Sequence, residues 1–170
     1  MYTFRAAQEP KNIRLSKNFN ASEFACSHCG DVSIVETLVS GLQRLRDILE
    51  TPIYITSAYR CPKHELTIAR TSKSVHSLGL AADFNLGHTK SIVDVFILCV
   101  PLFHRVGMYQ TQPHQGFIHV DMDTSRPKLY WLNNRVPTNS DAYEYYPSIL
   151  KINRAIVSQK GRVDWSRVLV

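Results

Sequence analysis

The sequence predicts an α+β domain, a small and mainly antiparallel sheet flanked by helices, on three observations. Ile34, Val35, Leu38, Val39, Leu42, Leu45 and Leu49 recur at three- and four-residue steps, the period of a helix with one buried face. Two later segments, Arg105-Val106-Gly107-Met108-Tyr109 and Gly116-Phe117-Ile118-His119-Val120-Asp121, have strand character and flank a polar stretch containing Pro113, the pattern of a hairpin. The order along the chain is helix, strand, loop, strand, helix and hairpin, which favours an antiparallel sheet with the helices set to one side.

Taken in order, residues 1–15 are polar and irregular and read as an arm. Asn20 or Ser22 is placed to cap a short helical turn ending near Phe24. The periodic helix follows over residues 34–49, and Pro52 is a natural stop after it. Ile53-Tyr54-Ile55-Thr56 is β-branched and aromatic and reads as a strand. Residues 57–78 are rich in polar and special residues, with one short helix expected near residues 64–70. Ala81-Ala82-Asp83-Phe84-Asn85-Leu86 reads as a second strand, and residues 91–103 as a second apolar helix. Beyond Thr124 the chain is broken by Pro127, Asn133, Asn134, Pro137, Asn139 and Ser140 before Ile149, Ile152 and Ile156 mark a further amphipathic helix. The expected organisation is an arm over 1–15, one domain over 16–131, and an extension over 132–170 that packs on the domain or trails it.

The 170 residues are enough for one domain with its own core, and 44% hydrophobic with 20% charged residues is the balance of a soluble globular protein. No apolar run reaches the roughly 18 residues of a membrane span. The opening Met1-Tyr2-Thr3-Phe4-Arg5 leads into polar residues rather than the apolar core of a secretory signal, so synthesis in a cytoplasm is expected. The net charge of +6 suits an anionic partner such as an acidic wall polymer. The basic residues are scattered without an aromatic-interleaved run, which argues against specific nucleic-acid binding. A monomer is expected. Cys26-Ser27-His28-Cys29 looks like half of a zinc ribbon, but Cys61 and Cys99 stand apart and supply no second cysteine pair. The expectation is therefore a tight turn with packed cysteines or a local disulfide, and Cys99 reads as a small buried hydrophobe. His28, His64, His88 and His104 read as surface groups.

A hydrolytic zinc site needs three imidazole or carboxylate ligands and an open fourth position. His76 and Asp83 stand seven residues apart, with Gly79 to allow a tight turn and Ala81 and Ala82 to allow close packing. His119, from a neighbouring strand, shares a face with Phe117 and Asp121 by two-residue alternation. Spacing permits a common point without requiring it.

The wording of the sequence goes further. Ser74-Val75-His76-Ser77-Leu78-Gly79-Leu80-Ala81-Ala82-Asp83 resembles the SxHxxGxAxD signature of the zinc D-Ala-D-Ala carboxypeptidase family, peptidase M15, which includes phage endolysins and shares its fold with hedgehog domains. Gly116 to Asp121 is similar to the family strand ending in His-Val-Asp, Thr56 to Pro62 to its SGYR-S-P segment, and Phe19 to Gly30 to the start of its small members. The resemblance runs from about Leu15 to about Trp131. It implies one zinc ion per chain on His76, Asp83 and His119. It implies Arg60 as the group that holds a substrate carbonyl or carboxylate and stabilises charge in the transition state. Ser74 would support the turn or contact substrate, and Asp121 would orient a ligand histidine or contact a substrate amine. Several members carry a glutamate general base three residues before the last ligand. Gly116 stands there, so the base role passes to His114, as in members that use a histidine. The implied activity is hydrolysis of an amide bond in peptidoglycan stem peptides, by a D-Ala-D-Ala carboxypeptidase or an endolysin-type endopeptidase. The protein would act on the wall after release, from a host cell if phage-encoded. The alternative is an inactive, metal-stabilised binding module of the same fold.

Overall fold

The computed structural model of the chain describes residues 1–5, 12–68, 72–87, 91–112, 115–134 and 143–146. Strand β1 (Tyr2–Phe4) pairs antiparallel with β2 (Val32–Ile34), Tyr2 opposite Ile34 and Phe4 opposite Val32. Part of the expected irregular arm is thus a strand. Ile34 also leaves the helix to which its spacing assigned it. Val32 and Ile34 are buried and Ser33 is not, a two-residue alternation whose last member happens to fall in phase with the following helix.

Helix α1 (Glu36–Leu49) buries Leu38, Val39, Leu42, Leu45 and Leu49, the stripe read from the sequence. Full burial of each leucine contributes roughly 1.5–3 kcal/mol. The helix ends at Glu50 in the left-handed region, φ 52°, with its amide bonded to the Arg46 carbonyl. Two shorter helices follow, α2 (Pro62–Ile68) and α3 (Ile92–Cys99), the latter almost wholly buried.

A six-stranded sheet carries the rest: β3 (Tyr54–Ser57), β4 (Ala81–Asn85), β5 (Arg105–Gln112), β6 (Gln115–Asp121), β7 (Leu129–Asn134) and β8 (Tyr143–Tyr146). Its order is β3-β4-β6-β5-β7-β8. Among the described residues every pairing is antiparallel except β5 with β7, so the α+β expectation holds with one parallel pair. The strands β5 and β6 run closer to the hairpin tip than the polar residues between them suggested, reaching Gln112 and Gln115. β7 and β8 continue the sheet past Trp131, where the resemblance ended. The helix expected around Ile149–Ile156 lies outside the described residues.

Alternation divides the sheet into two chemically different faces. Ala82, Phe84, Val106, Met108, Ile118, Val120, Tyr130 and Leu132 join the core beneath α1 and α3. Asp83, His119, Asp121, Gly107 and Trp131 belong to the other face. Among the described residues no helix is long and apolar enough to cross a membrane.

Gly79 fastens the smaller sheet to the larger. Its carbonyl accepts the Val35 amide at 2.9 Å, its φ is 71°, and a Cβ there would lie 2.4 Å from the Ser33 carbonyl oxygen. Gly79→Ala therefore combines a left-handed backbone with a backbone clash and should cost about 2 kcal/mol or more. Urea unfolding measures this; an unchanged midpoint would contradict the role given to Gly79.

Candidate metal centre

Strand register places the first two groups. Asp83 on β4 lies directly opposite His119 on β6, and His119 lies opposite Gly107 on β5, itself opposite Trp131 on β7. His76 arrives from the turn before β4. There Ser74 Oγ accepts the amides of His76 (3.1 Å) and Ser77 (3.2 Å), and the Gly79 amide bonds back to the His76 carbonyl at 3.1 Å. The three sequence-predicted ligands converge: one donor atom from each lies within 4.8 Å of the others.

The ring orientations are fixed from behind. His76 Nδ1 is 2.8 Å from the Ala58 carbonyl oxygen, which only an N–H can face. Nδ1 thus carries the proton, and Nε2 turns to Asp83 Oδ2 at 3.5 Å. His119 sits between two carboxylates, Nδ1 2.7 Å from Asp83 Oδ1 and Nε2 3.3 Å from Asp121 Oδ2. Asp121 is in turn held by the Asp123 amide at 3.0 Å and has Arg105 Nε at 3.8 Å.

Burial opposes ionisation of Asp83, but the hydrogen bonds from His119 and His76 outweigh it and hold the carboxyl well below the usual carboxylate range. Burial likewise opposes charge on His119, yet Asp121 and Asp83 outweigh it and raise the imidazole to about 9. Two imidazoles and an ionised carboxylate form the donor set of a three-ligand catalytic zinc site. Asp121 behind His119 is the carboxylate that fixes such a ligand's tautomer and orientation. The residues fit the ion.

A family model described as peptidase M15 matches residues 17–121. The chain belongs to the peptidase M15 family. The comparison with curated proteins gave no match. In this M15 chain the matched segment contains every donor of the centre and stops short of β7, whose Trp131 ring packs 5.4 Å from His119.

The other predicted site residues fall into three groups. Arg60 Nε lies 2.8 Å from Glu65 Oε1, an ion pair not aligned as a hydrogen bond, while the Arg60 amide reaches the His76 carbonyl at 3.4 Å. Glu65 is fully buried and also accepts the Ser74 hydroxyl at 2.6 Å. Sequence reasoning missed Glu65, because a lone glutamate in a short polar helix carries no mark of burial. Ser74 is thereby engaged in the turn through both its donor and its acceptor capacity. His114 lies outside the described residues. Gly116 is described, and a Cβ there would meet the Tyr109 carbonyl oxygen at 2.0 Å, so this backbone has no room for a glutamate at that position. Among the aromatics near the site, Tyr130 belongs to the core. Trp131 instead covers Gly107, where a Cβ would come within 2.2 Å of its ring. Its Nε1 donates to the Tyr109 hydroxyl at 3.0 Å, and Tyr109 stacks on Phe117 at 4.5 Å.

Raised to about 9, His119 contributes stability that is complete below the ordinary histidine value of about 6.5 and is lost as pH rises through 9. In chelator-treated protein the His119 ring should titrate near 9 by NMR, and Asp83→Asn should lower that midpoint. Zinc, which takes the place of the Nδ1 proton, should abolish the titration. A midpoint at or below about 6.5 would contradict the placement of His119 between two carboxylates.

Proposed function

We propose that this M15 protein is a zinc peptidase that hydrolyses an amide bond in peptidoglycan stem peptides, as a D-Ala-D-Ala carboxypeptidase or an endolysin-type endopeptidase. The observation that carries the proposal is the convergence of His76, Asp83 and His119 on one point of the sheet face that Trp131, Tyr109 and Phe117 line. A family model of peptidase M15 supports metallopeptidase-type chemistry in general. The peptidoglycan substrate rests on the motif resemblance, and the net charge of +6 suits an acidic wall polymer.

Zinc bound at these donors supplies a Lewis acid for the scissile carbonyl and activates water near neutral pH. The protein's own groups do the rest. Ala58 and Asp121 hold the two imidazoles in orientation from behind. Arg60, steadied by buried Glu65, receives the substrate carbonyl or carboxylate. Ser74 holds the His76 turn in place. His114 takes the proton from the attacking water and passes it to the leaving amine, the role that a glutamate fills in relatives. On this reading the protein acts on the cell wall.

One observation favours a second reading, a metal-stabilised binding module: the backbone at Gly116 excludes a glutamate base. Mass spectrometry of muropeptides after digestion of purified peptidoglycan separates the two. The peptidase reading expects released D-Ala or a newly freed amine. His119→Ala should abolish the product, and His114→Ala should lower turnover about 10²–10⁴-fold at unchanged zinc content. Absence of any new product from zinc-loaded wild type would establish the binding module instead.

A further inference from the structure

Away from the metal centre, three thiols meet from segments distant in sequence. Cys26 and Cys29 lie in the turn that follows the 3-10 turn Ala21–Phe24, and Cys61 directly precedes α2. Their sulfurs lie within 4.8 Å of one another, and all three are free thiols. This corrects the expectation that Cys61 stands alone and that Cys26 and Cys29 pack by themselves or close a local disulfide. Two hydrogen bonds hold the segments together, from the Tyr59 amide to the Phe24 carbonyl (3.2 Å) and from the Cys61 amide to Cys26 Sγ (3.3 Å).

Two imidazoles border the thiols: His28 from the exposed position expected for it, and His64 from a partly buried one. His64 Nδ1 is 3.4 Å from Cys26 Sγ, and His28 Nδ1 is 3.5 Å from Cys61 Sγ. A tetrahedral zinc with Zn–S of about 2.3 Å and Zn–N of about 2.0–2.1 Å sets sulfur and nitrogen about 3.5 Å apart along its edge. The spacing also repeats: Cys26-x-x-Cys29 is followed by Cys61-x-x-His64, two knuckles of equal length. The first has the tight turn such a knuckle needs, with the Gly30 amide on the Cys26 carbonyl at 2.7 Å and Gly30 at φ 75°.

We propose that Cys26, Cys29, Cys61 and His64 bind a second zinc ion, a structural one, beyond the single ion that the motif resemblance implies. Four protein ligands leave no open position, as in structural rather than catalytic zinc sites. His64 is the fourth ligand because it completes the second knuckle from α2, is partly buried, and touches the buried thiol Cys26. His28, exposed and stacked on His64 with ring centroids 6.2 Å apart, flanks the site. The ion would clamp the segment between Arg60 and Glu65, and through Glu65 and Ser74 the turn that carries His76. It is a positioning element for the catalytic groups, with no contact to substrate.

Metal analysis of the full chain purified under reducing conditions should give two zinc ions per chain in wild type. One should remain in the double variant His76→Ala with His119→Ala, and one in Cys26→Ser with Cys29→Ser. His64→Ala should lose the second ion and His28→Ala should keep both. Cobalt loading of the His76→Ala, His119→Ala variant keeps the test independent of how the cysteine variants fold: intense tetrahedral bands with a thiolate charge-transfer band are expected. One zinc in wild type, or cobalt spectra without thiolate bands, would overturn the proposal. Loss of the ion in His28→Ala rather than His64→Ala would overturn the assignment of the fourth ligand.

Discussion

Asp83 and His119 face each other across β4 and β6, and their 2.7 Å contact depends on a single strand register. Side chains alternate along a strand, so slipping β4 by one residue would turn Asp83 into the core and bring Phe84 out. The core face of these strands is wholly apolar, with Phe84, Ile118 and Val120 each almost fully buried. The hydrophobic effect thereby enforces a polar pairing on the opposite face. The pairing has a cost, since two ionisable groups leave water, and it is offset by mutual hydrogen bonds and by Asp121 and His76 on either side. Gly79 delivers His76 to that point through a turn that a side chain would obstruct.

The same economy of space shapes the surroundings. Gly107 is bare so that Trp131 can lie across β5 and approach His119. Arg105 stacks over the Trp131 ring at 5.6 Å while leaning toward Asp121, joining the aromatic wall to the carboxylate that orients His119. Gly116 answers a different pressure, the closeness of the Tyr109 carbonyl and of Ile92. A glutamate at that strand position is sterically excluded.

Much of this was legible in the sequence, and the exceptions have physical reasons. The stripe on α1 and the alternation in β4 and β6 could be read because burial acts on every turn or every second residue of those segments. The convergence of His76, Asp83 and His119 could be read because a motif ties their spacing to a turn and two strands. Ile34 misled because a buried strand residue can sit in phase with the helix after it. Glu65 escaped because its burial depends on Arg60 and Ser74 folding over it, and not on any pattern around it. Cys61 looked solitary because it is far from Cys26 and Cys29 in sequence, and only the fold brings the three thiols within 4.8 Å of one another.

The two clusters are joined through the Arg60, Glu65 and Ser74 contacts, so the rigidity of one bears on the geometry of the other. The centre that defines the protein is nevertheless the one on the sheet face. Anomalous diffraction at the zinc edge from crystals of the zinc-loaded protein examines it most directly. A peak contacted by His76 Nε2, an Asp83 oxygen and His119 Nδ1, with His119 Nε2 still on Asp121, is the predicted result. A peak elsewhere with none between these three residues, or ligation through His119 Nε2, would contradict the account.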